Sequence, residues 1–569
     1  MYKGSFILVL HTHLPYVLYH GKWPHGTDWL SEATAESYIP ILNVLYDLIE
    51  EGKKPKLTMS ITPILAEQMT SETFKTDFEN YISIKLSAAE NDREYFKKVG
   101  KKRLENNAEL WINFYKNIKE SFEERYNKNL IAAFRTLQEK KVLDIITCGA
   151  THGYFPLLGE DSSINAQIKT AISVHKKHFN EYPEGIWLPE SAYRPGYRWK
   201  RPVEFSAGNE PVQRKGIEEF LKENKIRYTF TDSHMLTGGK AIGIYLDRFE
   251  GLKLLMKQYE EEVHFEEIKD LSPYEIYTIG EYTSPEDAVY IFTRDPRTGL
   301  QVWSGEHGYP GDGNYLDFHK KHFPGGLRYW KVTSAKCDLG EKEEYIPENV
   351  EARLQENSDH FKHLIKSTLV EHYQNTGKYG VVTAPYDTEL FGHWWFEGPR
   401  FLKLLFTKIC DDDEVKVSTA RDEIKRIKSI VKISLPEGSW GEGGYHYIWF
   451  NENTQWTWKK IYEDEIRFKS ILSKTRNIKN KILVDILKQA ARELLLLQSS
   501  DWQFLISTFA AKDYAELRFS QHHSDFNELL NIAEKILHGN NLKKEEQIFF
   551  KDCKNRDNVF PEIELEWFL

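Results

Sequence analysis

The stretch Phe6-Ile-Leu-Val-Leu10-His11-Thr-His13 decides the fold. Five consecutive apolar residues fit a strand buried on both faces, and two histidines follow at its carboxyl end. The same grammar recurs downstream. Apolar runs at 57–61, 143–147, 185–188, 228–231, 289–293 and 380–383 are followed by Thr62-Pro63, His152, Glu190, Asp232 and His234, Arg294, and Asp387. Polar residues gathered at carboxyl strand ends predict a parallel βα barrel, because an antiparallel sheet scatters them to both edges. About seven strands imply an unusual strand count for such a barrel.

Segment 71–135 is rich in Lys and Glu with apolar residues at helical spacing, which predicts a helical insertion after the second strand. A second insertion, 236–286, places Leu252, Leu255, Met256 and Tyr259 on one helical face and is long enough to cover the barrel mouth. After residue 399 the strand signal fades, and 482–497 and 526–537 read as amphipathic helices. The expected division is a barrel domain over 1–398, carrying both insertions, and a helical C-terminal domain over 399–569 that contributes to the cleft.

Composition narrows the partners. The 569 residues carry 76 Lys and Arg against 86 Asp and Glu, a net charge of −10, with no long basic run to grip nucleic acid or an anionic membrane. Aromatic residues make up 14% of the chain, and flat apolar faces of this kind suit sugars. The four cysteines, Cys148, Cys337, Cys410 and Cys553, are too far apart for a CxxC pair or a disulfide framework, which points to a reducing compartment. The first apolar stretch is too short for a signal-peptide core, and no segment reaches the roughly 20 apolar residues of a membrane span. The expected location is the cytoplasm.

Two acidic residues stand out. Trp187-Leu-Pro-Glu190 sets a carboxylate beyond a buried strand among apolar neighbours, surroundings that raise a carboxyl pKa or aim the group at a substrate. The plain alternative is an ion pair with Arg194 or Arg198. In Ala384-Pro-Tyr-Asp387-Thr-Glu-Leu-Phe-Gly-His393-Trp-Trp-Phe396, an acid at a strand end precedes a histidine and three aromatics; here the plain alternative is a helix cap. Converging carboxylates hydrolyse or transfer glycosyl groups, and a retaining pair needs a separation of about 5–5.5 Å.

His11 and His13, two apart on an extended chain, point to one side. They suit sugar hydroxyls, metal ligation, or simple polar packing at a barrel rim. Metal ligation needs a further ligand, for which Asp232, His234 or His152 is available; the expectation is no metal and no cofactor. The segment Pro436-Glu-Gly-Ser-Trp440-Gly-Glu-Gly-Gly-Tyr-His-Tyr-Ile-Trp449 packs four glycines among aromatics without the Lys-Ser/Thr ending of a phosphate loop, so it reads as a close-approach aromatic loop. Trp23, Trp29, Trp303, Trp440 and Trp449 are candidate sugar platforms or, one by one, core residues.

Taken in order, His11-Thr-His-Leu-Pro-Tyr16, Cys148-Gly-Ala-Thr-His-Gly-Tyr154, Gly185-Ile-Trp-Leu-Pro-Glu190, Ala384 to His393 and Gly438-Ser-Trp-Gly-Glu-Gly-Gly444 resemble the motifs of glycoside hydrolase family 57, and within it the glucan branching enzymes. The resemblance implies an incomplete (β/α)7 barrel with a helical insertion and an all-helical C-terminal domain. It implies Glu190 as nucleophile and Asp387 as acid/base of a retaining enzyme that cuts α-1,4-glucan and rejoins it as α-1,6 branches. It further implies substrate contacts at Arg294, Gly311, Trp440 and Asp501, with His11, His13, His152, Trp23, Trp29, Trp303 and Trp449 lining the cleft. The loop after Asp232 is longer than in typical branching enzymes, and Tyr245, Tyr274 and Tyr277 are candidates for the tyrosine that shields the intermediate from water.

The same residues would serve an α-amylase or a 4-α-glucanotransferase, since a covalent glycosyl enzyme partitions between water and a sugar hydroxyl. Two further readings belong to other classes. A metal-dependent carbohydrate deacetylase would use His11, His13 and an aspartate, and a non-catalytic glycan-binding protein would keep only the tryptophans.

Overall fold

The computed structural model describes residues 2–203, 209–236, 250–263, 271–304, 308–334, 336–427, 430–475 and 479–569. At its centre lies β1 (Gly4–Thr12), with all nine residues buried. Its neighbours are β2 (Leu57–Ile61), which pairs in parallel with Val9–Thr12, and β6 (Gly380–Asp387), which runs parallel along Gly4–His11. From β2 the parallel pairing passes to β3 (Leu143–Ile146), then by single bridges from Thr147 to Ile186 and from Gly185 to Tyr228. There it enters β4 (Tyr228–Thr231), whose parallel partner is β5 (Val289–Thr293), and a bridge from Arg294 to Thr383 reaches β6. Followed in this order, the contacts return to β1.

Each of the seven apolar runs read from the sequence takes part in this circuit. Apolar residues on both faces explain the parallel arrangement, since a strand covered on two sides has no solvent face to alternate toward. Backbone approach is close as well: a Cβ on Gly4 would come 2.4 Å from Leu369 Cδ2 and 2.5 Å from the Gly380 carbonyl oxygen.

Two short strands outside this circuit pair with its members. Tyr277–Ile279 pairs antiparallel with β5. Beyond residue 398, β7 (Val415–Val417) pairs in parallel with Gly4–Phe6 of β1, the half of that edge which β2 does not reach. The sheet therefore draws on chain that follows the expected end of the barrel segment.

In the first insertion, Glu72–Lys98 and Lys102–Glu120 pack together as a helix pair. Phe74, Phe78, Tyr81, Ile82, Ala89 and Phe96 form the buried stripe of the first helix, and Ser71 caps it by accepting from the Thr73 N–H. Trp111 ties the second helix to the body through a 2.6 Å hydrogen bond from its indole to the Arg328 carbonyl. In the second insertion, Glu250–Glu262 buries Leu252, Leu255 and Tyr259, as the helical spacing predicts. Tyr245 lies outside the described residues.

After Gln455 the described elements are helical, apart from the final short 3-10 turn, and they include α1 (Lys481–Leu497), α2 (Ser500–Ser507) and α3 (Lys512–Leu537). Leu494 to Leu497 are all buried, which leaves the carboxyl end of α1 and the start of α2 pressed into the body. No helix among the described residues is long and apolar enough to cross a membrane.

Candidate active site

The carboxyl ends of β1 and β6 lie side by side, with His11 registered opposite Asp387. Glu190 follows the Gly185–Ile186 bridges on a tight turn, Pro189–Ser191. Its backbone is left-handed, φ 60°, and so are those of Ser191 (φ 48°) and His152 (φ 61°). Such conformations cost free energy in non-glycine residues and persist where the surroundings over-determine them. Here the strand-end turns that carry His152 and Glu190 are held in this way.

Hydrogen bonds define the Glu190 carboxylate. Oε2 accepts from the Trp440 indole N–H at 3.0 Å, and Oε1 accepts from the Ser500 hydroxyl at 3.1 Å. The Trp440 backbone N–H also donates to the Glu190 carbonyl at 3.2 Å. Burial raises the Glu190 carboxyl to about 7, against the lowering by Trp440 and Ser500 and the nearby His13; the Asp501 charge adds to the rise. The alternative partner Arg194 is occupied elsewhere, donating to the carbonyls of Pro156 and Pro195.

Asp387 ends β6, and its side chain makes no capping hydrogen bond to the turn after it, which removes the plain helix-cap reading. Burial pushes its carboxyl well above the usual range, the charges of Glu389 and Glu190 push it further, and Arg294 opposes them. Asp387 and Glu190 thus share one electrostatic environment. Glu389, itself raised to about 7 by burial, accepts from the Tyr38 hydroxyl and from the His13 N–H.

Three histidines fill the space beside Glu190. His11 meets His152 at 3.0 Å between their Nε2 atoms, and His152 Nδ1 lies 2.9 Å from Ser500 Oγ and 3.7 Å from Glu190 Oε1. Burial holds His11 and His152 well below the ordinary histidine range. His13 differs. Burial pulls it down, but the 2.9 Å ion pair with Asp501 leaves it above its ordinary value, and the same pair carries the Asp501 carboxyl down to about 2 against its own burial.

Trp187, Trp440 and Trp303 make a continuous aromatic wall, with centroids 4.9 and 5.9 Å apart along the series. A glycine is also needed behind Trp440, where a Cβ on Gly441 would come 2.5 Å from the Trp449 ring. Beyond Trp303 opens a groove of about 390 Å³ whose lining includes Asp232, Arg294 and Leu300. Asp232 is bonded to His234 at 3.1 Å and paired with Arg294 at 3.0 Å, and together they hold its carboxyl well below its ordinary range against burial.

The structure thus brings together Glu190, Asp387, His11, His13, His152, Trp440, Trp303, Arg294 and Asp501. Other expected residues have different surroundings. Trp449 is 1% exposed and stacked on Tyr154 at 4.6 Å, so it backs the Trp440 loop and presents no open face. Trp23 stands 74% exposed, and Trp29 packs against His25, which in turn meets Tyr514. Gly311 closes a turn whose Tyr309 packs on His360 and Phe361. Of the tyrosines proposed as shields, Tyr274 donates to Asp295 and Tyr277 accepts from the Ser272 N–H, so both hydroxyls are engaged. Ser500 and Glu389 are not among the residues the sequence singles out, although Ser500 directly precedes Asp501 and Glu389 lies two residues after Asp387.

Of the sets of ligand-type atoms within 4.8 Å of one another among the described residues, two lie at this site, His11–Cys148–His152 and His13–His152–Asp501. Each imidazole nitrogen in them already has a hydrogen-bond partner, so a cation would have to displace this network. What the arrangement offers chemically is one carboxyl that ionises near neutrality and a second that burial holds well above the usual carboxylate range.

The sequence model described as "Glycosyl hydrolase family 57" matches residues 7–436. The chain belongs to glycosyl hydrolase family 57. A second model, "1,4-alpha-glucan branching enzyme, C-terminal", matches 460–568. Among family members, the chain is 40% identical over 565 residues to a 1,4-alpha-glucan branching enzyme of Thermococcus kodakarensis, covering 99% of this chain and 78% of that one. It superposes on the crystal structure of a GH57-type branching enzyme from Pyrococcus horikoshii with TM-score 0.88 and 38% identity, covering 100% and 97% of the two chains. The α-amylase AmyC from Thermotoga maritima superposes with TM-score 0.80 and 27% identity, covering 99% of each chain.

Proposed function

We propose that this family 57 protein is a 1,4-alpha-glucan branching enzyme that works by retention, with Glu190 as nucleophile and Asp387 as acid/base. The observation that carries the branching assignment is the C-terminal segment. Residues 460–568 match the branching-enzyme model, and this segment carries Ser500 and Asp501, which bond to Glu190 and His13.

In the first step the ionised Glu190 carboxylate attacks C1 of an α-1,4-linked glucose, and the C1–O4 bond breaks as Asp387 passes its proton to the leaving O4. In the second, Asp387 takes the proton from a C6 hydroxyl of the acceptor chain, O6 attacks C1, and the bond to Glu190 breaks. Two inversions leave the α configuration. The raised Asp387 pKa suits the first step, and the hydrogen bonds from Trp440 and Ser500 favour the charged Glu190 that begins it.

His11, His13, His152, Trp303, Trp440, Arg294 and Asp501 belong to the substrate cleft in this reading, with α-glucan the partner. The circuit of parallel strands supports an incomplete (β/α)7 barrel over 1–398 with insertions at 71–135 and 236–286, followed by a helical domain over 399–569 from which β7 returns to the sheet. The four cysteines are all free, which fits a cytoplasmic protein.

A second reading, hydrolysis, draws on the likeness to AmyC. Incubation with linear amylose separates the two. Branching produces new α-1,6 proton signals and falling iodine staining with few new reducing ends; reducing ends without α-1,6 signals overturn the proposal in favour of an α-amylase.

A further inference from the structure

Four side chains behind Glu190 form a continuous hydrogen-bond chain. Ser60 Oγ lies 3.2 Å from His11 Nδ1, His11 Nε2 lies 3.0 Å from His152 Nε2, His152 Nδ1 lies 2.9 Å from Ser500 Oγ, and Ser500 Oγ lies 3.1 Å from Glu190 Oε1. The members come from β2, β1, the turn after β3 and the start of α2, so the chain joins three strand ends to the C-terminal helices. Ser500 is fixed besides by its backbone N–H, which donates to the His152 carbonyl at 3.0 Å.

The end of the chain sets the proton positions. An ionised carboxylate only accepts, so Ser500 must donate to Glu190 and therefore accept from His152 Nδ1–H. A neutral His152 then accepts at Nε2 from His11 Nε2–H, and His11 Nδ1 accepts from the Ser60 hydroxyl. Every bond in this polarity is 3.2 Å or shorter. In the reverse polarity, which ends on a protonated Glu190, Ser60 must donate instead to the Thr147 carbonyl at 3.5 Å, the outer limit of a hydrogen bond. The geometry favours the polarity that points at a charged Glu190.

We infer that Ser60, His11, His152 and Ser500 are positioning residues whose one-way hydrogen-bond chain holds Glu190 Oε1 ionised and aimed for attack. The inference rests on Glu190 being the nucleophile. It gives His11 and His152 a role behind the reacting carboxylate, distinct from gripping the sugar, and makes Ser500 the link through which they act. The other titratable groups that bear on Glu190 are His13, Asp501, Asp387, Cys148 and Tyr154, and the test leaves all of them in place.

The test is the pH profile of kcat/KM for four variants. Ser500→Ala lowers kcat about ten- to hundredfold, the scale of a hydrogen bond to a charged group, with KM near wild type. It also moves the acidic limb to higher pH, because the lost donor favoured the ionised form, whereas Ser500→Thr keeps the limb in place. His152→Asn retains an N–H where Nδ1 stood and shifts the limb less than His152→Gln, which does not. An unmoved limb in Ser500→Ala, or equal behaviour of the two His152 variants, overturns the chain. Labelling with a 5-fluoro glycosyl fluoride, located by peptide mass spectrometry, separates the two ideas. Label on Glu190, slower in Ser500→Ala, supports both; label on Glu190 at an unchanged rate overturns the chain alone; label on another carboxyl overturns the nucleophile reading itself.

Discussion

Across 250 residues of sequence, the Trp440 indole N–H points at Glu190 Oε2 from 3.0 Å. The tryptophan is thus a donor to a carboxylate as well as a flat surface, and substitution can separate these roles. Trp440→Phe keeps an aromatic face and removes the N–H. With that donor gone, Glu190 ionises at higher pH, so the acidic limb of kcat/KM moves upward and kcat falls by about ten- to hundredfold. Steady-state kinetics over pH 4–9 on a short maltooligosaccharide checks both effects.

Glu190 also weighs on stability. Its pKa is about 7 in the fold against 4.5 in an open chain. Between these values the folded protein holds a proton that the unfolded chain has released, so stability falls as pH rises from 4.5 to 7 and stays lower above that. The side chain is 14% exposed, and the shift corresponds to about 3 kcal/mol. Glu190→Gln, which cannot ionise, is therefore more stable than wild type at pH 8, and the gap closes below about pH 4.5. Denaturant melts at the two pH values measure it. The same variant retains glucan binding while turnover drops on the order of 10⁴-fold or more.

Glu389 tunes the other carboxyl. After burial, its charge is the largest influence holding Asp387 protonated. Glu389→Gln removes that charge and lowers the Asp387 pKa, so the alkaline limb of the rate profile moves to lower pH while the acidic limb, set by Glu190, moves little. A shift of the alkaline limb in the opposite direction contradicts this coupling.

The His13–Asp501 pair is read directly by spectroscopy. Asp501 is what lifts His13 above its ordinary pKa, against burial. In Asp501→Asn the His13 imidazole, followed by heteronuclear NMR, titrates at lower pH than in wild type.

Much of this arrangement was legible because strands buried on both faces write themselves as unbroken apolar runs, with the chemistry placed just past the end of each run. His11, His152, Glu190, Arg294 and Asp387 were found in that way. Ser500 had no such signal. A serine at the start of a helix is common, and only the fold brings this one, 310 residues downstream, against Glu190 Oε1. The tryptophans mark the opposite difficulty. Trp440 and Trp449 sit nine residues apart in one glycine-rich loop, yet one is a donor to the carboxylate and the other is buried behind it, a distinction set by packing against Tyr154. Likewise β7 was invisible as a strand: three residues are too short to show a period, and Val415–Val417 pairs only because the first half of β1 has an open edge.

The late position of α2 has a consequence for how the protein comes into being. Translation lays down Glu190 and Asp387 well before Ser500 and Asp501. A nascent chain that has not yet passed α2 holds both acids without the hydroxyl and carboxylate that bond to Glu190 and His13, so its pocket is completed only late in synthesis.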